Sequence, residues 1–529
     1  MIQPDASGLY HPNNENEIIE LIENAIQNKM QVRVRGAAQS VTNGVFADGF
    51  NSANGALGKN INIELDQLRS VSIDTGTMQV IVGGGCNLGF DPFDPSHTSE
   101  QSNANNLFYQ LNAQGLAIPN VSNAIHQTVA GFISTGSSAG TMQHSFDECL
   151  LSIRIIDGTG KVNTFTKSGN LDDNFYGVAV SMGLLGIITE VTLQCVPAFN
   201  ITGKQSTTLT TDCEYDFFGS GTSSKPSLET YITEAEFSRI LWWPFKTLNR
   251  VISWKAKEMT AADYDSSTGT AENFKPNPYK PLFPSVLGTT LPTETIAATG
   301  FQLIATWPDW FYKILGNSPG EVTASEKLLF DTVDKIFPYF YPMLTDFFFP
   351  VNTPQQPGQV FWDNWLGSLP MDKVEYGNDL FNLCYAEMWV PAAMATQLVN
   401  TLQKDYETKG YTATGFYTAE ILAAKESNFW LSPAYGTNCI RINILYFQNS
   451  SVPPENYYSQ FWNLLNENHI RFRPHWGKVL PPANSTTGPA YLQNNYPKWN
   501  NFMALREQMD PHQIFVTDYW RSHMNIQAT

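Results

Sequence analysis

Residues 31–40 read QVRVRGAAQS, and this stretch decides the fold of the N-terminal part of the chain. Val32 and Val34 alternate with polar neighbours, which predicts a short strand that runs directly into a turn of small side chains. Small side chains let backbone amides converge, and converging amides bind anions. A second stretch of this kind, GFISTGSSAGT at residues 131–141, adds hydroxyl groups to the amides. Together the two stretches predict two loops that close on one phosphate-bearing ligand.

A dinucleotide is the ligand that these two loops fit best. FAD, for example, carries two negative charges on its diphosphate, and proteins often meet such charges with backbone N–H groups of Gly, Ala and Ser turns. The Rossmann fingerprint is missing, because the glycine-rich stretch GGGCNLG at residues 83–89 has the wrong final spacing. The sequence also contains no Walker loop and no HExxH pair. These observations argue against a nicotinamide-dependent Rossmann enzyme, an ATPase and a zinc protease.

Length, charge and composition narrow the class of protein further. With 529 residues the chain exceeds the size of one hydrophobic core, so two or more packed units are expected. The net charge of -18 repels phosphate backbones, so nucleic acid is not an expected partner. No stretch reaches the roughly 18 consecutive apolar residues of a membrane-spanning helix. The six cysteines are scattered without metal-ligand or CxxC spacing, so we expect buried cysteines and no metal site.

The apolar pattern predicts mixed helices and strands up to about residue 197. A hairpin is predicted over residues 152–165, with its turn at 157–160. From about residue 199 the chain becomes rich in aromatic residues, and we interpret this part as a second domain that contacts the substrate. The remaining predicted elements are helices over 14–29 and 107–112 and strands over 31–35, 61–65, 71–73 and 78–82.

The order of short motifs along the chain resembles the vanillyl-alcohol-oxidase superfamily of flavoproteins. These motifs are RGAAQS at 35–40, AIPNV at 117–121, QTVAG at 127–131, STG at 134–136 and GLLGIITEV at 183–191. Two more motifs are similar to those of the aldonolactone oxidase branch, which includes alditol oxidases and is related to type II cholesterol oxidases. They are WLSPAYG at 430–436 and RPHWGK at 473–478. The resemblance covers most of the chain and is weakest between residues 255 and 360.

The resemblance implies an α+β fold with a two-part PCMH-type FAD-binding domain and a cap domain. Residues 1–198 would form the FAD-binding domain, with its two subdomains. Residues 199–488 would form the cap, built on a mostly antiparallel sheet with flanking helices, and residues 489–529 would return to the FAD-binding domain.

The same resemblance assigns FAD as the cofactor and names the residues that would hold it. The branch normally carries a flavin-linked histidine at the position of Gln39, and an amide cannot form that bond, so non-covalent FAD is implied. The second loop departs too, with SSA at 137–139 where relatives commonly have Thr-His-Gly. The implied cofactor-binding residues are Arg35, Gly36, Ala37, Ala38, Gln39, Ser40, Asn123, Thr128, Gly131, Thr135, Gly136, Ser137, Ser138, Ile188 and His475.

Two charged residues of the C-terminal half align with the family's catalytic groups, the acid Glu420 and the cation Lys478. Relatives that act on polyols usually have Arg at the position of Leu422 and His at that of Asn443. With Leu445 also near the site, these differences predict a more apolar substrate pocket. A bulkier or less hydroxylated alcohol is therefore the expected substrate.

The implied reaction is oxidation of a CH–OH group by hydride transfer to flavin N5, while Glu420 or Lys478 helps the hydroxyl proton depart. The substrate would be a small molecule: a sugar lactone, a polyol, a sterol or another alcohol. Dioxygen is the expected acceptor and would give hydrogen peroxide, with packing near Ser122 and Asn123 controlling its access. A dehydrogenase that uses another acceptor is the first alternative.

Two other classes of function stay open on the sequence. The stretch GSSAG at 136–140 matches the GxSxG elbow of serine hydrolases, with Ser138 as nucleophile, although residues 141–145 are a poor start for the helix that the elbow needs. A flavin-binding scaffold without catalysis would explain why Gln39, Leu422 and Asn443 depart from the family pattern.

Overall fold

The structure is a computed structural model of the full chain. It describes residues 1–50, 59–89, 91, 106–120, 124–245, 248–279, 323, 328, 340, 342–367, 383–410, 414–415, 417–447 and 452–528.

The N-terminal layer is a helix packed on a small parallel sheet. The Asn14 side chain accepts a hydrogen bond from the Glu17 N–H and begins the helix Glu15–Asn28, which ends at Lys29 in the left-handed conformation. Ile18, Leu21 and Ile22 on one face of the helix are buried against the sheet. The strands are β1 (Leu9–Tyr10), β2 (Val32–Arg35) and β3 (Ile61–Glu64), in the order β1–β3–β2.

A five-stranded antiparallel sheet forms the second layer of the N-terminal part. Its strands are β4 (Val71–Asp74), β5 (Gln79–Gly83), β7 (Leu150–Ile156), β8 (Val162–Thr166) and β9 (Ile187–Gln194), and their order is β4–β5–β9–β7–β8. Two short strands, β6 (Leu116–Ala117) and β10 (Val196–Pro197), pair separately. The accompanying helices are Thr42–Val45, Leu107–Ala113, Val129–Ser134, Phe146–Cys149 and Asn174–Val178.

The end of the chain packs back onto this N-terminal part. The Val32 N–H donates to the Ile514 carbonyl at 2.7 Å, and the Trp520 indole N–H donates to the Gly44 carbonyl at 2.9 Å. The last helices are Pro489–Asn495, Trp499–Met509 and Asp518–Met524, and their apolar faces join the core of the five-stranded sheet.

An eight-stranded antiparallel sheet occupies the middle of the chain. Its strands are β11 (Asn200–Leu209), β12 (Phe237–Trp243), β13 (Arg250–Glu258), β14 (Gln359–Asn364), β15 (Leu383–Pro391), β16 (Thr418–Ala424), β17 (Cys439–Phe447) and β18 (Arg473–Pro474). The order is β14–β11–β13–β12–β16–β17–β15–β18. The helices of this part are Leu228–Glu234, Ala395–Lys409 and Pro454–Glu467, with 3-10 turns at Ala261–Asp263, Trp365–Gly367 and Ala392–Met394.

The two faces of the eight-stranded sheet differ in polarity because side chains alternate along each strand. Ile240, Ile421 and Ile442 lie on the face that is buried with the helices Ala395–Lys409 and Pro454–Glu467. The opposite face carries charged and amide side chains at positions that the strand register brings side by side. We call this the polar face and define it by Arg239, Glu387, Glu420, Arg441 and Asn443.

The α+β class and the antiparallel cap sheet that the sequence predicts are confirmed. The predicted helix over 14–29 and the hairpin over 152–165 are present within one or two residues of their predicted ends. All six cysteines are buried and unpaired. Within the described ranges, no helix has the length and apolar character needed to cross a membrane.

Candidate active site

The two glycine- and serine-rich loops lie directly against each other. A Cβ added to Gly36 would lie 2.3 Å from the Thr128 hydroxyl oxygen, so the first loop can approach the second only with glycine at this position. Thr128 in turn accepts a hydrogen bond from the Gly131 N–H at 3.2 Å and begins the helix Val129–Ser134. One crevice is lined by both loops and by residues 182–188, although these three stretches are far apart in sequence.

Close backbone packing shapes the floor of this crevice. Added Cβ atoms at Gly84 and Gly85 would lie 2.3 Å from the Ile188 carbonyl oxygen and 1.8 Å from the Leu65 carbonyl oxygen. Ala38 holds a left-handed φ of 53°, a conformation that places successive amides on the same side of a turn. A crevice walled by backbone amides, glycines and small hydroxyl side chains fits a dinucleotide.

Most of the predicted cofactor-binding residues line this crevice. They are Arg35, Gly36, Ala37, Ala38, Gln39, Ser40, Thr128, Gly131, Thr135 and Ile188. Gly136, Ser137 and Ser138 line a smaller cavity between the second loop and Trp389 of β15. Asn123 and Ser122 lie outside the described residues.

The segment 473–478 connects both loops to the eight-stranded sheet. The Gly477 carbonyl accepts from the Val41 N–H at 3.1 Å, next to the first loop. His475 Nδ1 accepts from the Gly477 N–H at 3.0 Å, so the ring proton lies on Nε2, which donates to Ser137 Oγ at 3.2 Å in the second loop. Burial lowers the pKa of His475 to about 4, assisted by the nearby Lys478 and Arg441 against the opposing Glu387. His475 is therefore a neutral, oriented imidazole at neutral pH.

Glu420 lies at the centre of the polar face and is bound from two sides. Arg239 Nε donates to Glu420 Oε1 at 2.6 Å, and Asn443 Nδ2 donates to Oε2 at 3.0 Å. Arg239 stands directly opposite Leu422 in the register of β12 and β16. Leu422 therefore does not leave Glu420 without a cation, because the neighbouring strand supplies one.

A second ion pair ties the polar face to the second loop. Arg441 Nε donates to Glu387 Oε1 at 3.0 Å, and Arg441 Nη1 donates to the carbonyls of Ser138 and Ala139 at 2.5 and 3.3 Å. The guanidinium also lies 5.0 Å from the Trp389 ring centroid. Burial alone would raise the pKa of Glu387, but Arg441, His475 and Lys478 outweigh it and lower the pKa to about 2. Glu387 is thus ionised at neutral pH.

Lys478 differs from the other cations near the polar face because it has no carboxylate in contact. Its Nζ lies 4.8 Å from the Tyr385 ring centroid, and in the described part of the chain nothing forms a hydrogen bond or ion pair with it. Desolvation lowers the pKa of Lys478, and the more distant Glu387 and Glu420 oppose the shift. Leu445 stands opposite Tyr385 of β15. Because it follows Asn443 by two residues in β17, its side chain lies on the same side of the sheet as that of Asn443.

The sequence did not point to Arg239, Glu387 or Arg441. Each is a lone charge within an apolar strand: FSRILWW for β12, LCYAEMWVP for β15 and CIRINILYF for β17. A charge in such a strand is the only signal available in the sequence, since its partner is set by the register with a strand far away in the chain.

The chain is similar to lactone oxidases and to a lactone dehydrogenase. The family model for D-arabinono-1,4-lactone oxidase matches residues 329–523. Putative D-arabinono-1,4-lactone oxidase of Neurospora crassa is 24% identical over 420 residues, which is 78% of this chain and 69% of the relative. L-gulonolactone oxidase of Scyliorhinus torazame is 21% identical over 96% of this chain and 93% of its own length. L-gulono-1,4-lactone dehydrogenase of Mycobacterium tuberculosis is also 21% identical, over 97% and 95%.

Among solved structures, cholesterol oxidase from Brevibacterium sterolicum superposes with a TM-score of 0.66 at 13% sequence identity, covering 98% of this chain and 94% of the other. The fold is shared at this level of identity. The family model and these relatives support the resemblance of the chain to the aldonolactone oxidase branch of the FAD-binding PCMH-type flavoproteins. This flavoprotein is an FAD-dependent oxidoreductase that acts on CH–OH donors.

The hydrolase alternative has no support at Ser138 of this flavoprotein. The Ser138 hydroxyl donates to the carbonyl of its own neighbour Ala139 at 3.3 Å. His475 contacts Ser137 instead. Among the residues that the structure describes, no histidine contacts the Ser138 hydroxyl, so a nucleophile and base are not paired there.

The depressed pKa of His475 predicts a measurable pH dependence of stability. An unfolded histidine titrates near 6.5 and the folded one near 4, so only the unfolded state gains this proton between those values. Stability is therefore lost as the pH falls from about 6.5 to about 4. In His475→Asn the melting temperature should fall less steeply over this window than in the wild type. His475→Gln, which also lacks a titratable ring, should show the same flatter profile as His475→Asn; the wild-type slope in both variants would contradict the assignment.

Proposed function

We propose that this flavoprotein oxidises a hydroxyl group of an aldono-1,4-lactone and passes the electrons to dioxygen. The observation that carries the proposal is the cluster of Arg239, Glu420 and Asn443 on the polar face, together with Lys478 of the segment 473–478, whose charge interacts with Glu420. A hydroxyl-rich lactone satisfies such groups, whereas a sterol would leave them desolvated without partners. The family model and the names of the relatives support the same class of substrate.

The residues Arg35, Gly36, Ala37, Ala38, Gln39, Ser40, Thr128, Gly131, Thr135 and Ile188 would hold the FAD. His475 would orient Ser137 toward it. When bound, FAD accepts the hydride from the carbinol carbon and returns two electrons to an acceptor.

Lys478 is the better of the two proton acceptors. Both Glu420 oxygens already accept hydrogen bonds, Oε1 from Arg239 and Oε2 from Asn443, so part of their acceptor capacity is occupied. Desolvation lowers the pKa of Lys478, which increases the fraction present as a neutral amine. As the carbinol C–H bond breaks and the carbonyl forms, the hydroxyl proton passes to Lys478 Nζ.

Glu420 acts on the substrate as a fixed acceptor. Held by Arg239 and Asn443, its carboxylate still has free lone pairs and can accept a hydrogen bond from a second hydroxyl of the lactone. This contact fixes the reacting carbon relative to Lys478, and it distinguishes polyhydroxylated substrates from simple alcohols.

Anaerobic reduction of the bound flavin tests the proposed reaction. The purified holoprotein is mixed with L-gulono-1,4-lactone, D-arabinono-1,4-lactone, an alditol and a sterol, and loss of the oxidised-flavin absorbance is followed. We expect a lactone to bleach the flavin. Lys478→Met should keep its FAD and be reduced about 10²-fold more slowly, since it lacks the proton acceptor. The surface variant Lys257→Met is the control.

Three results of this experiment would count against the proposal. Bleaching by the sterol alone would overturn the substrate class. Wild-type rates in Lys478→Met would remove Lys478 from the mechanism. Reoxidation by an artificial dye without peroxide formation in air would make the protein a dehydrogenase, as is the M. tuberculosis relative by name.

Arg239 should be required for Glu420 to position the substrate. In Arg239→Leu, Glu420 loses its cation, so we expect KM for the lactone to rise about tenfold or more. Because residues 239 and 422 stand opposite each other, Arg239→Leu with Leu422→Arg should recover part of the loss. Steady-state kinetics across pH measure both effects. If the double variant is no better than Arg239→Leu, or if Arg239→Leu alone is unchanged, the guanidinium does not act through Glu420.

The FAD is proposed to be non-covalent. Gln39 cannot form the bond, and among the described residues that line the crevice there is no His, Cys or Tyr side chain. Acid precipitation of the wild type should leave the flavin in the supernatant, while Gln39→His should retain part of it in the pellet. Flavin in the wild-type pellet would contradict the proposal, and Gln39→Asn controls for loss of the wild-type side chain.

A further inference from the structure

Arg33 is a buried cation at the crevice, and no carboxylate in the described part of the chain forms an ion pair with it. Only 3% of the residue is exposed, and it lines the crevice beside the first loop. Its terminal nitrogens donate to four carbonyls: Gly44 at 2.6 Å, Met182 at 2.8 Å, Phe515 at 3.1 Å and Gly183 at 3.5 Å. The Nε–H group has no hydrogen-bond partner among the residues that the structure describes. The carbonyl dipoles bind the guanidinium without cancelling its charge.

The other charges at the crevice do not balance Arg33. Among the described residues lining it, Arg33 and Arg35 are the charged ones, and Arg35 is paired with Glu64 at 2.6 Å. Asp48 and Asp510 are the carboxylates whose charges raise the pKa of Arg33, and neither forms an ion pair with it. The crevice therefore has a net positive charge before any ligand binds.

Other buried arginines differ from Arg33 either in their partners or in their position relative to the crevice. Arg250 and Arg441 each pair with a carboxylate, Asp346 and Glu387. Arg473 resembles Arg33, because it is buried, donates only to carbonyls and lies 4.9 Å from the Tyr496 ring centroid. Arg473, however, does not line the crevice.

We propose that Arg33 supplies the positive charge that balances the FAD diphosphate and makes the crevice selective for diphosphate-bearing nucleotides. Burying a cation without a counter-ion is unfavourable, and an anion bound nearby recovers that free energy. The attraction acts through the low-dielectric wall and requires no direct contact, since the terminal N–H groups already bind carbonyls. The inference rests on the FAD site and is independent of the substrate.

The same four hydrogen bonds give Arg33 a second effect on the crevice. Gly44, Met182 and Gly183 themselves line it, so the guanidinium also fixes the position of its wall. A test must therefore separate the charge of Arg33 from its role in packing.

Comparing the binding of ADP with that of adenosine to the full-length apoprotein separates the effect of the Arg33 charge from its effect on packing. The chain is expressed under riboflavin limitation, and calorimetry gives the dissociation constants of both compounds, which differ only in the diphosphate. In Arg33→Met we expect ADP to bind about tenfold or more weakly, with adenosine little changed. Arg33→Lys keeps the charge but loses the fork of N–H groups, so it should melt earlier and yet keep the wild-type preference for ADP.

Arg473→Met is the matched control. It removes a similarly buried, carbonyl-bound arginine away from the crevice, so it should lower the melting temperature and leave the ADP preference unchanged. The proposal is overturned if Arg33→Met weakens ADP and adenosine by the same factor, or weakens neither. If Arg33→Met does not fold, loss of the ADP preference in Arg33→Lys overturns it. No lactone enters this assay, so its outcome is independent of the test of the proposed reaction.

Discussion

The segment 473–478 holds the site together, because its hydrogen bonds reach the eight-stranded sheet and both glycine- and serine-rich loops. β18 pairs with β15, the Gly477 carbonyl binds the backbone after the first loop, and His475 binds Ser137 in the second. The tight turn at Gly477, where a Cβ would lie 2.7 Å from Ser40 Oγ, makes these contacts possible. The position of Lys478 relative to the crevice follows from them.

Charge pairing across neighbouring strands defines the chemistry that the polar face can perform. Arg239 with Glu420, and Arg441 with Glu387, form two charge-balanced pairs, while no carboxylate of the described residues contacts Lys478. A balanced pair is costly to separate, so it holds its groups in place. A desolvated lysine without such a partner among the described residues is suited to exchanging a proton, and we propose different roles for the two kinds of cation on this basis.

The two loops and the main helices and strands could be predicted from the sequence, but only about half of the site residues could. Strand alternation and small residues at 31–40 and 131–141 are local signals, and the N-terminal strands, the hairpin and the α+β class followed from them or from the family resemblance. Glu420 and Lys478 came from the resemblance alone. Arg239 could not be identified as a site residue from the sequence. Its contact with Glu420 depends on strand register, which places it opposite Leu422, more than a hundred residues later in the chain. Likewise, Leu422 by itself suggested that the site had lost a cation, whereas Arg239 of the neighbouring strand supplies one.

The closure of the Arg33 carbonyl cage by Phe515, and of the Gly44 turn by Trp520, has a consequence for biogenesis. Phe515 lies 482 residues after Arg33, and Trp520 lies 476 residues after Gly44. The crevice wall is therefore complete only after residues 515 and 520 have been synthesised and have folded back onto the first loop. A chain cut before residue 515 would lack both contacts and would leave the Arg33 guanidinium with fewer carbonyl acceptors.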